Sequence, residues 1–295
     1  MKILSGTEIS KEIKEELKKE VGRLKQKGIV PTLAVILVGD DPASAVYVRN
    51  KKRTCEELGL NSIERKLPEE TGQEELLGII RELNKKPEIN GILCQVPLPV
   101  QCNEQEVIQA IVPEKDVDCF HPYNFGLLAA GIPKFMPCTP FGVLQILKRS
   151  GYETRGKNVV IIGRSNIVGR PLSILMSLKE CNATVTVCHS QTKNLASVCR
   201  MADILVSAIG IPHFVTPQYV KEGAIVIDVG MNRVSDPSHP KGSRLVGDVE
   251  FEAIQGIAEA ATPVPGGVGP MTIAMLMYNT INAARFQAGL ERFEL

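Results

Sequence analysis

The chain has 295 residues, which is long enough for two ordinary domains or for one large domain. Hydrophobic residues make up 44% and charged residues 23%, a balance typical of soluble globular proteins, and this composition excludes a disordered chain. The formal net charge of +1 gives no overall field that would attract nucleic acid or an anionic membrane, so local groups must hold any anionic ligand.

Helices and strands are predicted to alternate from the start of the chain. A capping-box pattern at residues 5–8 opens a helix that Gly28 ends. An apolar strand at residues 32–38 precedes a helix over residues 44–58, and strand-like alternation covers residues 61–67. We expect these connections to build a largely parallel sheet covered on both faces.

The alternation continues to the C-terminus. A second capping-box pattern at residues 71–74 opens a helix, and Thr139 with Pro140 opens another. The remaining predicted strands are 92–96, 158–162, 184–188, 204–208 and 224–229, and the remaining predicted helices are 169–179, 195–201 and 272–287. The run from residue 158 onward is typical of a doubly wound nucleotide-binding domain.

Targeting and metal signals are weak in this sequence. The N-terminus lacks the apolar stretch of a signal peptide, and no apolar run approaches the roughly 18 residues of a membrane span. The eight cysteines include no Cys-x-x-Cys pair and favour reduced, mostly structural thiols. The four histidines lack metal-ligand spacing. We therefore expect a cytoplasmic protein with no metal, nucleic-acid or membrane partner.

The segment after the strand at residues 158–162 favours dinucleotide binding. Gly163 permits a tight turn there, and the following helix, which begins near Gly169, presents free backbone N–H groups to a phosphate. The match to Gly-x-Gly-x-x-Gly is incomplete, because Ser165 replaces the second glycine and the last glycine comes one residue late. A plain strand–helix turn is the alternative interpretation.

The end of the strand at residues 184–188 bears on the choice of cofactor. NAD enzymes usually place an acid there to bind the ribose hydroxyls, and this chain has none. An anion would instead meet Arg164, the Ser190 hydroxyl and Lys193, which favours the 2′-phosphate of NADP. NAD remains an alternative, as does an Arg164 side chain that simply points to solvent.

Several polar residues of the first half are candidates for chemistry. Tyr47 and Lys51 are four residues apart and share one helix face, although an amphipathic tyrosine beside a solvated lysine has the same pattern. Gln95 lies at the carboxyl end of a buried strand, where open α/β sheets bind ligands, or it satisfies loop backbone. Asp116 and Asp118 follow in a loop, where either acid can cap a turn.

Eight motifs in order carry a family resemblance. They are YVRNK at 47–51, GILCQVPLP at 91–99, KDVD at 115–118, PCTPFG at 137–142, GRSNIVGRP at 163–171, DVGMNR at 228–233, GDV at 247–249 and PVPGGVGPMT at 263–272. On these motifs the chain resembles the bifunctional methylenetetrahydrofolate dehydrogenase/methenyltetrahydrofolate cyclohydrolase (FolD) family along nearly its whole length.

The resemblance implies roles for individual residues of the first half. Lys51 corresponds to the catalytic lysine, Gln95 to the glutamine bonded to that lysine, Tyr47 to the tyrosine that stacks on the folate, and Asp118 to the pterin anchor. The residues implied to contact the cofactor are Gly163, Arg164, Ser165, Gly169, Ser190 and Ile209. The loop with Pro265, Gly266 and Gly267 is implied to bind substrate, although a turn capped by Thr272 is the alternative.

The same resemblance implies an architecture and an activity. It implies two α/β domains flanking a cleft, the second a Rossmann-like doubly wound parallel sheet. Residues 1–139 with 272–295 would form the folate-binding catalytic domain and residues 140–271 the NADP-binding domain. The expected protein is a homodimer that oxidises 5,10-methylenetetrahydrofolate with NADP and hydrolyses the methenyl product to 10-formyltetrahydrofolate.

Three departures and three alternatives accompany this expectation. Cys119 stands where many relatives have glycine, Cys94 and Val96 flank Gln95 where valine and leucine are common, and Gln191 stands where a basic residue is frequent. The alternatives are another two-domain NAD(P)-dependent dehydrogenase acting on an amino or hydroxy acid, a nucleotide-sensing regulator without enzymatic activity, and a folate enzyme with only one of the two activities.

Overall fold

Two parallel sheets organise the helices and strands of the chain. The computed structural model describes residues 1–238 and 242–295. The helices of this part are α1 Gly6–Gln26, α2 Pro42–Leu58, α3 Gln73–Lys85, α4 Glu104–Ala110, α5 Pro122–Ala129, α6 Cys138–Arg149, α7 Gly169–Ser177, α8 Leu195–Cys199 and α9 Val268–Gln287. Its strands are β1 Lys2–Ile3, β2 Thr32–Val38, β3 Asn61–Leu67, β4 Gly91–Cys94, β5 Asn158–Ile162, β6 Thr184–Cys188, β7 Ile204–Ser207, β8 Ile225–Asp228, β9 Asn232–Ser235, β10 Ser243–Val246 and β11 Ala260–Ala261.

The chain divides into two compact units. One unit, here called the three-stranded unit, consists of Lys11–Cys138 and Ile273–Leu295. The other, here called the six-stranded unit, consists of Met1–Ser10 and Thr139–Thr272. The structure places the first ten residues in the six-stranded unit, whereas the sequence prediction assigned them to the catalytic domain. The reason is that β1 pairs in parallel with β11, so the chain start belongs to that sheet.

The three-stranded unit has a parallel sheet in the order β3-β2-β4. Every residue of the central strand β2 is buried, because its continuous apolar run has partners on both faces. The turn into α2 is set by Asp41, whose carboxylate accepts a hydrogen bond from the Ser44 backbone N–H at 2.7 Å. Gly59, with a φ of 79°, ends the same helix in the left-handed conformation. Strand and helix bounds here follow the sequence prediction closely.

The six-stranded unit has a parallel sheet in the order β1-β11-β8-β7-β5-β6. The chain passes from β5 to β6 on one side and returns to β7 on the other side of β5, which makes the β5–β7 border a topological switch point. Strands β9 and β10 form an antiparallel pair outside this sheet. The predicted pair of α/β domains, one of them Rossmann-like, is thereby confirmed.

Four helix starts differ from the prediction. Helix α2 begins at Pro42 rather than near Ser44, and helix α6 begins at Cys138, so Thr139 lies inside the helix rather than at its N-cap. Helix α9 begins at Val268 rather than at residue 272, because proline is tolerated within the first turn of a helix and Pro270 falls there. Helix α3 has Gly72 at its N-cap without a side-chain bond, so Thr71 does not form the predicted capping box. In residues 1–238 and 242–295, no helix has both the length and the apolar character needed to cross a membrane.

Candidate active site

Lys51 is a buried lysine on α2 of the three-stranded unit. Only 8% of its surface is exposed, and its Nζ donates a hydrogen bond to Gln95 Oε1 at 2.9 Å. Burial lowers the pKa of the Lys51 amine, and the negative charge of Asp118 opposes this shift. The amine is therefore easier to deprotonate than an exposed lysine, which is the condition for proton transfer near neutral pH.

Gln95 is held rigidly at the carboxyl end of β4. Its backbone N–H donates to the Ile36 carbonyl at 2.9 Å, which continues the β2–β4 ladder by one residue. Its side-chain Nε2 donates to the Val96 carbonyl at 2.8 Å. Since the amide nitrogen is engaged there, the amide oxygen is left to face Lys51. The glutamine therefore satisfies loop backbone and also orients the lysine.

Asp118 completes a cluster with Lys51 and Cys138. Ile92 and Asp116 form an isolated parallel β-bridge. Residues 116–118 therefore lie alongside β4 and lead toward the end of that strand, where Gln95 lies. Burial raises the pKa of the Asp118 carboxyl, and the charge of Lys51 and a hydrogen bond with the Cys138 thiol oppose the shift. Burial and the Asp118 charge raise the pKa of the Cys138 thiol. The thiol is therefore a neutral hydrogen-bond partner of the carboxyl.

The structure distinguishes the two acids of the KDVD motif. The Asp116 carboxylate accepts hydrogen bonds from the backbone N–H groups of Phe120 at 3.1 Å and His121 at 2.9 Å, and from Asn124 Nδ2 at 2.8 Å. Asp116 therefore caps the following turn, while Asp118 interacts with Lys51. Within that turn Cys119 has a φ of 62°, the left-handed region in which glycine is the least strained residue.

Tyr47 lies one helical turn before Lys51 on α2 and is half-buried. Burial raises the pKa of its phenol, so the ring is neutral in the physiological range. A half-buried neutral ring suits stacking, although its role toward a folate stays a prediction.

Two glycines shape the loop between β5 and α7 in the six-stranded unit. A Cβ at Gly163, whose φ is 120°, would collide with the Ala208 carbonyl oxygen, and a Cβ at Gly169 would collide with the Gly163 carbonyl. The loop is closed by Ser165, whose hydroxyl accepts a hydrogen bond from the Val168 N–H at 3.2 Å. This tight strand–loop–helix geometry fits a dinucleotide pyrophosphate at the start of α7.

The other predicted cofactor residues stand at neighbouring strand ends. Gly163 N–H donates to the Cys188 carbonyl at 2.9 Å, so the ends of β5 and β6 are adjacent. Arg164 and Ser190 are exposed just beyond those two ends, and Ile209 is half-buried just beyond β7. The structure thus brings the six predicted cofactor residues to one edge of the sheet.

Pro265, Gly266 and Gly267 belong to the six-stranded unit, in the loop before α9. Gly266 accepts hydrogen bonds through its carbonyl from the Thr7 N–H at 3.0 Å and from the Thr7 hydroxyl at 3.3 Å. A Cβ at Gly267 would press against Pro263 and Thr262. The loop is tightly built, and its contact with substrate stays a prediction.

The sequence reasoning gave no role to Cys138 or Asp248. Both belong to motifs of the resemblance, PCTPFG and GDV, and that membership was the available signal. The structure shows Cys138 against the Asp118 carboxyl and Asp248 fully buried, accepting backbone hydrogen bonds. All eight cysteines are free thiols. Among residues 1–238 and 242–295, no group of three or more His, Cys, Asp or Glu side chains is arranged to hold a metal ion.

Comparison with known protein families identifies the enzymes in which the Lys51 cluster and the nucleotide loop occur. Residues 4–118 match the model of the tetrahydrofolate dehydrogenase/cyclohydrolase catalytic domain, and residues 137–288 match that of the NAD(P)-binding domain of the same enzymes. The chain belongs to the tetrahydrofolate dehydrogenase/cyclohydrolase family. The predicted oxidoreductase and hydrolase activities are confirmed, and the dehydrogenase of other substrates and the nucleotide-sensing regulator are set aside.

Individual relatives of this family match over nearly their full length. The bifunctional protein FolD of Ruminiclostridium cellulolyticum is 55% identical over 289 residues, which cover 98% of this chain and 99% of the relative. The crystal structure of the FolD enzyme of Campylobacter jejuni superposes with a TM-score of 0.92 at 47% identity, covering 97% of this chain and 99% of that chain. The FolD of Trypanosoma brucei, solved with NADP and an inhibitor, has a TM-score of 0.92 at 39% identity and covers 97% of this chain and 98% of that one.

Proposed function

We propose that the protein oxidises 5,10-methylenetetrahydrofolate with NADP and hydrolyses the resulting 5,10-methenyl cation to 10-formyltetrahydrofolate, with Lys51 as the proton-transfer group. The assignment of Lys51 rests on its buried amine, which donates a hydrogen bond to Gln95 Oε1 at 2.9 Å. Burial lowers the pKa of this amine, and the charge of Asp118 limits that lowering. A lysine in that setting can exchange a proton that an exposed lysine keeps.

The oxidation step requires the folate to be held in one orientation. Tyr47 offers its ring to the pterin or aminobenzoyl face, and Asp118 offers a carboxyl to the polar edge of the pterin. A bound nicotinamide accepts the hydride that leaves the one-carbon bridge. The remaining methenyl cation is delocalised over the two flanking nitrogens, so it is stabilised by the carboxyl of Asp118 and tolerates a nearby neutral amine better than an ammonium.

The hydrolysis step needs a base and then an acid. Water adds to the methenyl carbon and loses one proton, which the neutral Lys51 amine accepts. The ammonium then returns a proton to the ring nitrogen as the carbon–nitrogen bond breaks. The hydroxyl proton of the adduct leaves to solvent as the formyl C=O forms, so one proton is released per turnover. Gln95 keeps the amine in place during both transfers. No net proton is retained on the lysine, so the amine is ready for the next turnover.

The cofactor choice rests on the edge formed by β5 and β6. Gly163 and Gly169 fit a pyrophosphate at the start of α7, and Arg164, Ser165 and Ser190 would hold its phosphates and the 2′-phosphate. The stretch after β6 offers Ser190 and Lys193 and contains no acid to bind ribose hydroxyls. The NADP bound by the Trypanosoma brucei relative supports the same choice.

A product-resolved assay tests this function. The purified protein is given 5,10-methylenetetrahydrofolate with NADP or NAD in parallel, and the methenyl and formyl products are separated. We expect formyl product and a lower KM for NADP than for NAD. Methenyl product that decays only at its spontaneous rate would refute the role of Lys51, and a preference for NAD would refute the phosphate-binding role of Arg164 and Ser190.

Two further proposals concern assembly and location. We propose a homodimer, because the resemblance implies one, and sedimentation equilibrium should give twice the mass of 32.2 kDa. We also propose a cytoplasmic enzyme, which is supported by eight free thiols, six of them buried, since reduced cysteines suit a reducing compartment. Recovery of the native protein in a secreted or periplasmic fraction would contradict the second proposal.

A further inference from the structure

The Asp248 carboxylate is the most heavily bonded acid of the six-stranded unit. It is fully buried, and its Oδ2 accepts hydrogen bonds from the backbone N–H groups of Ile209 at 2.8 Å and Gly210 at 3.2 Å and from the Ser207 hydroxyl at 3.2 Å. Its Oδ1 accepts from the Ile211 N–H at 3.0 Å and from Asn232 Nδ2 at 3.0 Å. Three consecutive backbone donors thus converge on one side chain.

The three donors belong to the loop that follows β7, at the β5–β7 border. Strand β7 ends at Ser207, and the Ala208 carbonyl packs so closely against Gly163 that a Cβ there would collide with it. The loop over residues 208–211 therefore borders the same strand ends as the nucleotide loop after β5. In doubly wound sheets this switch point is where a dinucleotide lies.

Asp248 is itself fixed by a second buried acid. The Asp228 carboxylate, at the end of β8, accepts hydrogen bonds from the backbone N–H groups of Asp248 at 3.0 Å and Val249 at 2.9 Å. A Cβ at Gly230 would collide with the Asp248 carboxylate, and a Cβ at Gly247 would collide with the Asp228 carboxylate. Two glycines are therefore required for the two acids to reach their donors.

Two acceptor oxygens suit this position better than the single oxygen of an amide. All five groups that face Asp248 are donors, and an aspartate carboxylate offers acceptor sites only. An asparagine would turn an NH2 group toward at least one N–H of the loop, because the amide has one oxygen. The loop path over residues 209–211 therefore depends on the two acceptor oxygens and not only on the size of the side chain.

We propose that Asp248 is a positioning residue for the dinucleotide: by binding three successive N–H groups it fixes the Ile209–Gly210–Ile211 backbone against which the cofactor docks. This proposal rests on the proposed function, since it uses the placement of the cofactor at the β5–β7 edge. Loss of the Asp248 carboxylate should therefore weaken cofactor binding and leave hydrolysis unaffected, because the folate-site residues Lys51, Gln95 and Asp118 belong to the three-stranded unit.

The test compares the two activities of one variant. In Asp248→Asn, we expect the KM for NADP in the oxidation to rise by about tenfold or more, because at least one loop N–H would lose its acceptor and face an NH2 group. Hydrolysis of supplied methenyltetrahydrofolate, which needs no cofactor, should stay within about twofold of wild type. Glu250→Gln serves as the matched control, because Glu250 is an exposed acid two residues away and should leave both activities unchanged.

The outcomes separate this proposal from the proposed function. An unchanged KM for NADP in Asp248→Asn, or an equal loss of oxidation and hydrolysis, would overturn the positioning role. Failure of the wild type to oxidise the folate would instead refute the proposed function. If Asp248→Asn does not fold, Asn232→Ala removes one donor to the same carboxylate, and it should raise the KM for NADP by a few-fold with hydrolysis intact. An Asn232→Ala enzyme with an unchanged KM would then contradict the proposal.

Discussion

Two buried lysines of the three-stranded unit, Lys51 and Lys115, invite comparison. Their exposed fractions are 8% and 7%, and burial lowers the pKa of both amines. Lys115 Nζ donates hydrogen bonds to the carbonyl oxygens of Leu83 at 3.3 Å, Asn84 at 2.9 Å and Lys86 at 2.7 Å. Among the described residues, the Lys51 amine has one hydrogen-bond acceptor, Gln95 Oε1.

The two lysines differ in how many N–H donors of the amine have a hydrogen-bond acceptor. An ammonium has three N–H donors, and Lys115 places all three on carbonyls at the C-terminal end of α3, where the helix dipole also favours a cation. Lys115 is therefore a structural cap that has to stay protonated. Lys51 has donor capacity left over and a carboxyl neighbour, so it can lose and regain a proton. Burial alone does not identify a catalytic lysine; the partners of its amine do.

The largest expected effect is on hydrolysis in Lys51→Met. Removal of the amine should lower the rate of methenyltetrahydrofolate hydrolysis by about 10²- to 10⁴-fold, the usual contribution of a proton-transfer group. The rate is measured by the loss of methenyl absorbance, corrected for spontaneous hydrolysis. Lys52→Met is the control, because Lys52 is the exposed neighbour and should retain the full rate. A wild-type rate of hydrolysis in Lys51→Met would contradict the proton-transfer role of Lys51.

The next effect is on stability in Lys115→Met. Three carbonyls, one of them in a buried hydrogen bond and two in part-buried ones, would lose their donor, so we expect the free energy of unfolding to fall by about 2–5 kcal/mol. Urea denaturation measures the loss, and hydrolysis per folded molecule should stay unchanged. Lys85→Met, an exposed lysine in the last turn of α3, should cost well under 1 kcal/mol. A Lys115→Met protein of normal stability and low activity would reverse the roles given to the two lysines.

A smaller effect on hydrolysis is expected in Gln95→Glu. This variant tests whether the protonation state of the Lys51 amine sets the rate. A carboxylate would then lie about where Oε1 now lies, 2.9 Å from Nζ, and it would favour the ammonium and raise the pKa of Lys51. Hydrolysis near neutral pH should fall by roughly tenfold. Its rise with increasing pH should move to a higher pH than in the wild type. A pH profile with the wild-type midpoint would show that the amine does not set the rate.

The smallest effect concerns stability as a function of pH. Since the pKa of Lys51 is lower in the folded chain than the value near 10.4 of an unfolded lysine, the unfolded state binds more protons in the window below about pH 10.4. The free energy of unfolding of the wild type, relative to Lys51→Met, should therefore rise as pH increases through that window. Lys52→Met should show no such trend against the wild type. Urea titrations at several pH values between 7 and 10 supply the comparison.

Local patterns explain why much of the fold was predictable. The strand β2 contains a run of six apolar residues, 33–38, and Gly59 ends α2 with a positive φ, so each is visible within a short window. The two-residue strands β1 and β11 were missed, because their pairing is tertiary and leaves no periodicity in the sequence. The predicted start of α9 at residue 272 is four residues late, because the first turn of the helix accepts Pro270.

The site was predictable only in part, because its contacts are distant in sequence. The bond between Lys51 and Gln95 joins residues 44 positions apart, and family resemblance rather than spacing brought them together. Nothing in the KDVD motif distinguishes a turn cap from a lysine partner, and the choice depends on the donors at residues 120 and 121. The role of Asp248 is not visible in the sequence, because its five donors come from two distant segments, residues 207–211 and Asn232.

An NMR titration tests directly whether Lys51, and not Lys115, lies in the folate site. The lysine side chains are labelled with ¹³C at Cε, and Lys51→Met and Lys115→Met assign the two signals by their loss. On addition of tetrahydrofolate, we expect the Lys51 signal to shift and the Lys115 signal to stay in place. A stationary Lys51 signal at saturating tetrahydrofolate, or a shift confined to Lys115, would contradict it.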